Sequence, residues 1–324
     1  MVMTASELMP TPTADTWGSA TGRAFSTADL QRRCREAGLC VPDSVLGALV
    51  AALRAGKHVI LTGPPGTGKT TLAMLVSEMA RDALMSGGYL ATTATSHWSV
   101  DHTVGASFEG DEGTTFRPGV VIDAIETGRW LLIDELNRAD IDRALGEFFT
   151  VLSGQPVVLP FKRTSFSDNL SLVPFGAEAP EGTEVIRVPK SWRIVATMND
   201  YDRNELFSLS HALMRRFAFV HLGSPSDDVF RALVAGPGEV VGQLLPLREF
   251  HDIGPAIFAD AAEFAGLRAI DGASPSTVLL EVFNAYFLPQ LDGTAPERLA
   301  AVLDPLLDVS DRAELRSCLD RLPG

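Results

Sequence analysis

The sequence predicts an α/β fold: a three-layer αβα sandwich on a mostly parallel sheet, followed by a small all-helical region. Three observations predict it. Short apolar, β-branched runs alternate with segments of helical period. A glycine-rich turn joins one of these runs to a helix. After Gly223 the strand-like runs stop, and Pro225, Gly236, Pro237 and Gly238 punctuate helical segments only.

Bulk properties narrow the class. The 324 residues are 46% hydrophobic and 21% charged, which excludes a disordered chain and a disulfide-stapled miniprotein and suffices for one large core or two modest ones. The net charge of -14 gives no global attraction to nucleic acid or to an anionic membrane, which leaves nucleic acid only a route through a pore or a partner. The longest apolar run, 45–53, stops at Arg54 and is too short for a membrane span. The N-terminus lacks the basic start and apolar stretch of a secretion signal. Cys34, Cys40 and Cys318 have no metal-ligand spacing and read as free thiols. The expectation is a cytoplasmic protein with no membrane partner.

In chain order, residues 1–27 are rich in Thr, Ser, Ala and Pro and read as a flexible tail. A core is expected over 28–224. Helices occupy 30–53, interrupted at Gly38 and Pro42, with Asp43 or Ser44 as a cap. HVILT at 58–62 is a buried strand, and 69–84 is a helix with Leu72, Leu75, Val76 and Met79 on one face. Helix 120–125, strand 130–133, helix 141–152 and strands 193–197 and 217–222 follow. Two segments break the rhythm, near 96–120 and at 157–189. The second carries VVLPF and EVIRV around a Gly/Pro/Ser/Glu-rich middle, the pattern of a projecting hairpin. Residues 225–324 form the helical region.

The turn GPPGTGKT, Gly63, Pro64, Pro65, Gly66, Thr67, Gly68, Lys69 and Thr70, has the spacing of a phosphate-binding loop in the required strand–turn–helix context, with Thr71 next. Its glycines let backbone amides point at phosphate oxygens, and the helix N-terminus adds its free N–H groups. Lys69 is expected on the β and γ phosphates, and Thr70 on Mg2+. About 65 residues later, LLIDE ends an apolar strand in two carboxylates. Asp134 is expected to hold Mg2+ with Thr70, and Glu135 to polarise an attacking water. His97 and His102 fit no standard metal spacing, and Trp98 reads as an anchor of its loop or as partner-facing.

These features, with IDELNRAD at 133–140, ATMNDYDRNELF at 196–207 and LSHALMRRF at 209–217, give a chain that resembles an AAA+ ATPase of the P-loop NTPase class. Within that superfamily it resembles the MoxR-like and McrB-like (dynein-related) branch, over roughly residues 41–290. The resemblance implies an AAA+ core and lid. It makes Asn199 the sensor-1 residue, and Arg215 or Arg216 a finger reaching the neighbouring subunit's nucleotide. It puts Asn137 and Arg138 at the active site or interface, and Asp202 and Arg203 between the sensor loop and the subunit interface. It likens the first insertion to the helix-2 insert and the second to the hairpin before sensor 1, where Lys162, Arg163, Arg187 and Lys190 either line a pore or serve as solvated stems. MoxR-like proteins usually carry GASPR where this chain has GASPS, so Ser276 stands in place of the sensor-2 Arg.

The implied function is Mg2+-dependent hydrolysis of a nucleoside triphosphate, ATP or GTP, in a self-associated ring, a hexamer in the family, coupled to remodelling of a partner. That partner would be a von Willebrand factor A domain protein. Two alternatives stand beside it: a McrB-like motor subunit driving a separate nuclease or effector, as in phage defence, and a nucleotide-gated scaffold with little hydrolysis.

Overall fold

The run His58-Val-Ile-Leu-Thr forms β1 (His58–Gly63), with Val59, Ile60 and Leu61 fully buried. A strand apolar on both faces belongs inside a parallel sheet covered by helices. The computed structural model describes residues 25–110, 113–199, 214–291 and 293–319. It divides into two units: Met1–Thr62 with Lys69–His221, and Gly63–Gly68 with Leu222–Gly324.

In the first unit β1 lies between β10 (Phe217–His221) and β9 (Ile194–Asn199). β5 (Trp130–Asp134) and then the edge strand β2 (Tyr89–Thr93) complete the order β10-β1-β9-β5-β2. The β1–β10, β5–β9 and β2–β5 pairs are parallel. β2 escaped the sequence pattern because YLATT has no continuous apolar run; as an edge strand it is only partly covered.

Helices flank this sheet. α1 (Thr27–Glu36) is capped by Ser26, whose Oγ accepts from Asp29 N at 3.2 Å. Phe25 is buried edge-on against Trp130. The tail expected over 1–27 therefore gives way to structure by Phe25; residues 1–24 lie outside the described ones. α2 (Asp43–Arg54) starts after Pro42 with no side-chain cap, so Asp43 sits in the first turn and favours the helix dipole instead. α3 (Lys69–Asp82) buries Leu72, Ala73, Val76, Met79 and Ala80 and packs on β9, β5 and β2. The short α4 (Val100–Thr103) and α5 (Val120–Glu126) bracket the first insertion.

Two expectations are corrected, and the first insertion, for which no secondary structure was expected, gains one. The helix over 141–152 is two, α6 (Ile141–Leu145) and α7 (Phe148–Leu152). They break at Gly146, whose φ of +47° is a left-handed conformation and where a Cβ would stand 2.9 Å from Val100 Cγ2. The first insertion is an antiparallel pair, β3 (Gly105–Gly110) with β4 (Gly113–Pro118). The second is no simple hairpin. β6 (Val157–Lys162) and β8 (Thr183–Arg187) do not pair with each other but flank β7 (Asn169–Val173), antiparallel and parallel respectively. β7 takes the middle because NLSLV buries Leu170 and Leu172 in the main core.

Two polar side chains, buried Arg193 and half-buried His58, tie the first unit together. Arg193 donates from Nη1 to Lys190 O and Trp192 O, both at 2.7 Å, and from Nη2 to Leu53 O at 3.5 Å in the last turn of α2. His58 Nδ1 accepts from Ile194 N at 2.9 Å, so the ring is held as a neutral acceptor. In the second unit the described residues after Leu222 form only helical elements. Their core includes Phe230, Phe258 and Phe287, which stack edge-to-face at 5.0 and 4.9 Å. No helix among the described residues is long and apolar enough to cross a membrane.

Burial, with Arg193 and Lys57 nearby, pushes the His58 pKa down to about 3. The unfolded chain takes up a proton near pH 6.5 that the native state refuses until about pH 3. Stability from this group is full above pH 6.5 and falls with decreasing pH by about 1.4 kcal/mol per unit in that window. Urea midpoints at pH 7 and pH 5 measure this slope. His58→Asn, whose amide oxygen can accept from Ile194 N without titrating, is expected to flatten it; an unchanged slope refutes the assignment.

Candidate functional site

The glycine-rich loop begins where β1 ends. Gly63 has φ +145°, and a Cβ there would meet Leu222 O at 2.0 Å. Gly66 and Gly68 have φ +73° and +87°, which a side-chain-bearing residue enters only with strain. Thr67 is buried and donates from Oγ1 to Pro64 O at 2.9 Å, closing the turn on itself. Within the same unit, Gly254 lies against the loop. A Cβ on Gly254 would stand 2.3 Å from Pro65 O, and Ala256 N donates to Gly66 O at 3.4 Å. Gly254 caps the helix Pro255–Ile270.

Lys69 and Thr70 open α3, Lys69 buried and Thr70 half-buried, while Thr71 is exposed. Thr70 Oγ1 donates to Asp134 Oδ1 at 2.8 Å, bringing the first turn of α3 to the end of β5. Asp134 Oδ1 also accepts from Thr197 Oγ1 on β9. Glu135 follows in the left-handed conformation, φ 54° and ψ 49°, with its N–H donated to Thr197 Oγ1 at 3.1 Å. A non-glycine residue held there is strained, and such strain concentrates at functional sites. The turn Leu136–Arg138 brings the Arg138 guanidinium back onto the Glu135 carboxylate as an ion pair. Asn137 is buried, and its Nδ2 donates to Asn199 O at 3.4 Å at the end of β9.

Thr70, Asp134, Glu135, Asn137, Arg138 and Asn199 are thus brought together at the carboxyl ends of parallel strands, where α/β sheets bind ligands. Thr197 was missed. Its signal lay in the period of two, which puts it on the same strand face as Asn199. Gly254 was missed too, and had no signal, since its φ is ordinary. Arg215 is exposed in the turn before β10, and Arg216 is half-buried and donates to Ser153 Oγ. Asp202 and Arg203 lie outside the described residues.

Ser276 is buried. Its Oγ donates to Asp311 and accepts from Asp308 N at 2.8 Å, so it joins helical segments of the second unit. The basic residues of the second insertion are largely engaged at home. Arg163 pairs with Glu126 and Glu184, Arg187 donates to Ala177 O at 3.1 Å, and Lys190 Nζ stands 5.7 Å from the Phe175 ring centre. No cluster of three or more His, Cys, Asp or Glu side chains suited to a metal occurs among the described residues. A hydroxyl beside one carboxylate still fits Mg2+, which takes one or two protein ligands and completes its shell with phosphate and water.

A glycine loop between strand and helix, hydrogen-bonded through Thr70 to an acidic strand end, is the architecture of a P-loop nucleoside-triphosphatase. Residues 58–217 match the AAA domain of the dynein-related subfamily, so this stretch is an AAA+ domain. It is similar to uncharacterized proteins of Staphylococcus aureus strains bovine RF122 / ET3-1 and USA300, 27% identical over 178 residues. The similarity covers 55% of this chain and about 60% of the length of those relatives. A crystal structure of a candidate ATPase from Cytophaga hutchinsonii ATCC 33406 aligns over 92% of this chain and 87% of its own, at 14% identity and a TM-score of 0.40.

The packing at Gly254 is testable by contrast with Gly47, a helical glycine with nothing within 4 Å of the added Cβ. Gly254→Ala is expected to destabilise by about 1–3 kcal/mol, because the Cβ meets backbone that cannot swing away. Gly47→Ala is expected to stabilise by roughly 0.5–1 kcal/mol. Thermal unfolding of the two variants against the parent decides; equal effects would refute the close approach.

Proposed function

We propose that the protein hydrolyses a nucleoside triphosphate, ATP or GTP, with Mg2+ bound at Thr70 and Asp134, and couples turnover to remodelling of a partner. The observation that carries the proposal is the 2.8 Å hydrogen bond between Thr70 and Asp134, which unites the end of the phosphate loop with the acidic strand end. The loop amides and Lys69 hold the phosphates. Held by Thr70 and Asp134, Mg2+ would supply charge neutralisation for the phosphates. Glu135 takes a proton from the attacking water at its carboxylate, and Asn199 orients that water. Arg138 competes for the Glu135 carboxylate, so the base must leave this ion pair to act.

Assembly into a ring, a hexamer in this branch, follows from the need for an arginine in trans, and the exposed Arg215 is the better finger candidate. Asp202 and Arg203 remain candidate interface residues. The partner is a von Willebrand factor A domain protein or a nuclease or effector subunit. The ion pairing of Arg163 disfavours a bare polyanion-binding hairpin and weighs toward a protein partner. One observation favours the scaffold reading: Ser276 is buried in local bonds, so this position offers no cation to nucleotide.

Phosphate release and fluorescent-nucleotide binding, each with ATP and GTP across protein concentrations, test the proposal. Glu135→Gln is expected to retain binding and to lose turnover by about 10²-fold or more. Lys69→Ala is expected to lose binding. Undiminished turnover in Glu135→Gln removes that residue from the base role, and negligible wild-type turnover with normal binding establishes the scaffold.

A further inference from the structure

The pairing of β5 with β9 runs Leu131↔Ile194, Leu132↔Val195 and Ile133↔Ala196. The next pair in that register would be Asp134 and Thr197, and there the ladder ends. Glu135 N, which would otherwise lack its ladder carbonyl, donates to the Thr197 side chain. The same hydroxyl spends its own hydrogen on Asp134 Oδ1, the oxygen that also accepts from Thr70. Thr197 is 2% exposed, so water does not stand in for these bonds. One buried hydroxyl therefore accepts from the backbone of Glu135 and donates to the carboxylate of Asp134.

We infer that Thr197 is a positioning residue that sets metal ligand and base together, an inference that rests on the hydrolytic reading above. The two bonds act on neighbouring residues. The bond to Oδ1 fixes the rotation of the Asp134 carboxylate, and with Thr70 it occupies that oxygen; Oδ2 accepts no hydrogen bond among the described residues and is the oxygen left for a cation. The bond from Glu135 N ends the strand at a defined residue. From there the chain enters the left-handed conformation that carries the Glu135 carboxylate away from the sheet direction. A valine at this position would keep the shape and remove both bonds. It would leave the half-buried N–H of Glu135 without this partner and free the carboxylate to rotate. A serine would keep both bonds and lose only a methyl group.

The test compares Thr197→Val and Thr197→Ser in the full chain by two measurements. The first is the Mg2+ concentration at half-maximal binding of fluorescent ATP. The second is kcat and KM for phosphate release. For Thr197→Val the expected result is a Mg2+ midpoint raised about 10-fold, kcat lowered about 10²-fold and KM within about 3-fold of the parent. Thr197→Ser is expected to stay within about 3-fold of the parent on all three. Thr197→Ala replaces the valine variant if the latter fails to fold. Parent-like Mg2+ dependence in the hydroxyl-free variant overturns the inference. So does equal impairment of the serine and valine variants, which would assign the effect to packing. The Mg2+ midpoint is read without turnover, so an inactive parent protein would sink the hydrolytic reading while this arm still decided the role of Thr197.

Discussion

Parallel pairing of β5 with β9 is the constraint on which the site depends. It sets Ile133 beside Ala196, so the two chains leave the sheet together and deliver Asp134, Glu135, Thr197 and Asn199 to one end of it. Parallel strands need long crossovers, which is why residues more than 60 positions apart meet within hydrogen-bond distance. Helices cover the strands, so polar groups concentrate where the ladders stop. β5 and β9 are buried until their last one or two residues, and β1 is buried from Val59 to its end, so access begins at the carboxyl ends of β5 and β9 and in the turn beyond β1.

Backbone strain follows the same line. Glu135 and the loop glycines Gly63, Gly66 and Gly68 take left-handed conformations in the turns that leave β5 and β1. Glycine tolerates this freely, whereas Glu135 does so because Thr197 holds its N–H and Arg138 holds its carboxylate. A rigid apolar core on both sides lets a few hydrogen bonds impose that geometry.

Charge is handled locally in the second insertion. In a chain with 27 basic against 41 acidic residues, a cluster of cations invites a functional reading. Arg163 satisfies two carboxylates, Arg187 a carbonyl, and Lys190 lies near an aromatic face. Three of the four candidate cations thus have neighbours that no pattern of residue types revealed, because those neighbours lie on α5, on another strand or in loops.

The amino-acid sequence by itself determined the α/β class, the strands β1, β5, β9 and β10, the glycine-rich turn and the acidic strand end. Each of these is written in local periodicity or in a contiguous word such as GPPGTGKT or LLIDE, whose meaning rests on neighbours within one strand or turn. Tertiary structure alone decided the edge strand β2, the three-stranded second insertion and the break at Gly146. It also decided the contacts of Arg138, Ser276, Thr197 and Gly254. In these the determining partner is distant: β7 becomes a central strand because the core receives Leu170 and Leu172, and Gly146 breaks its helix where Val100 approaches. Thr197 looks like any strand threonine until β5 is laid beside it, because a hydrogen bond between strands leaves no trace in the local order of residues.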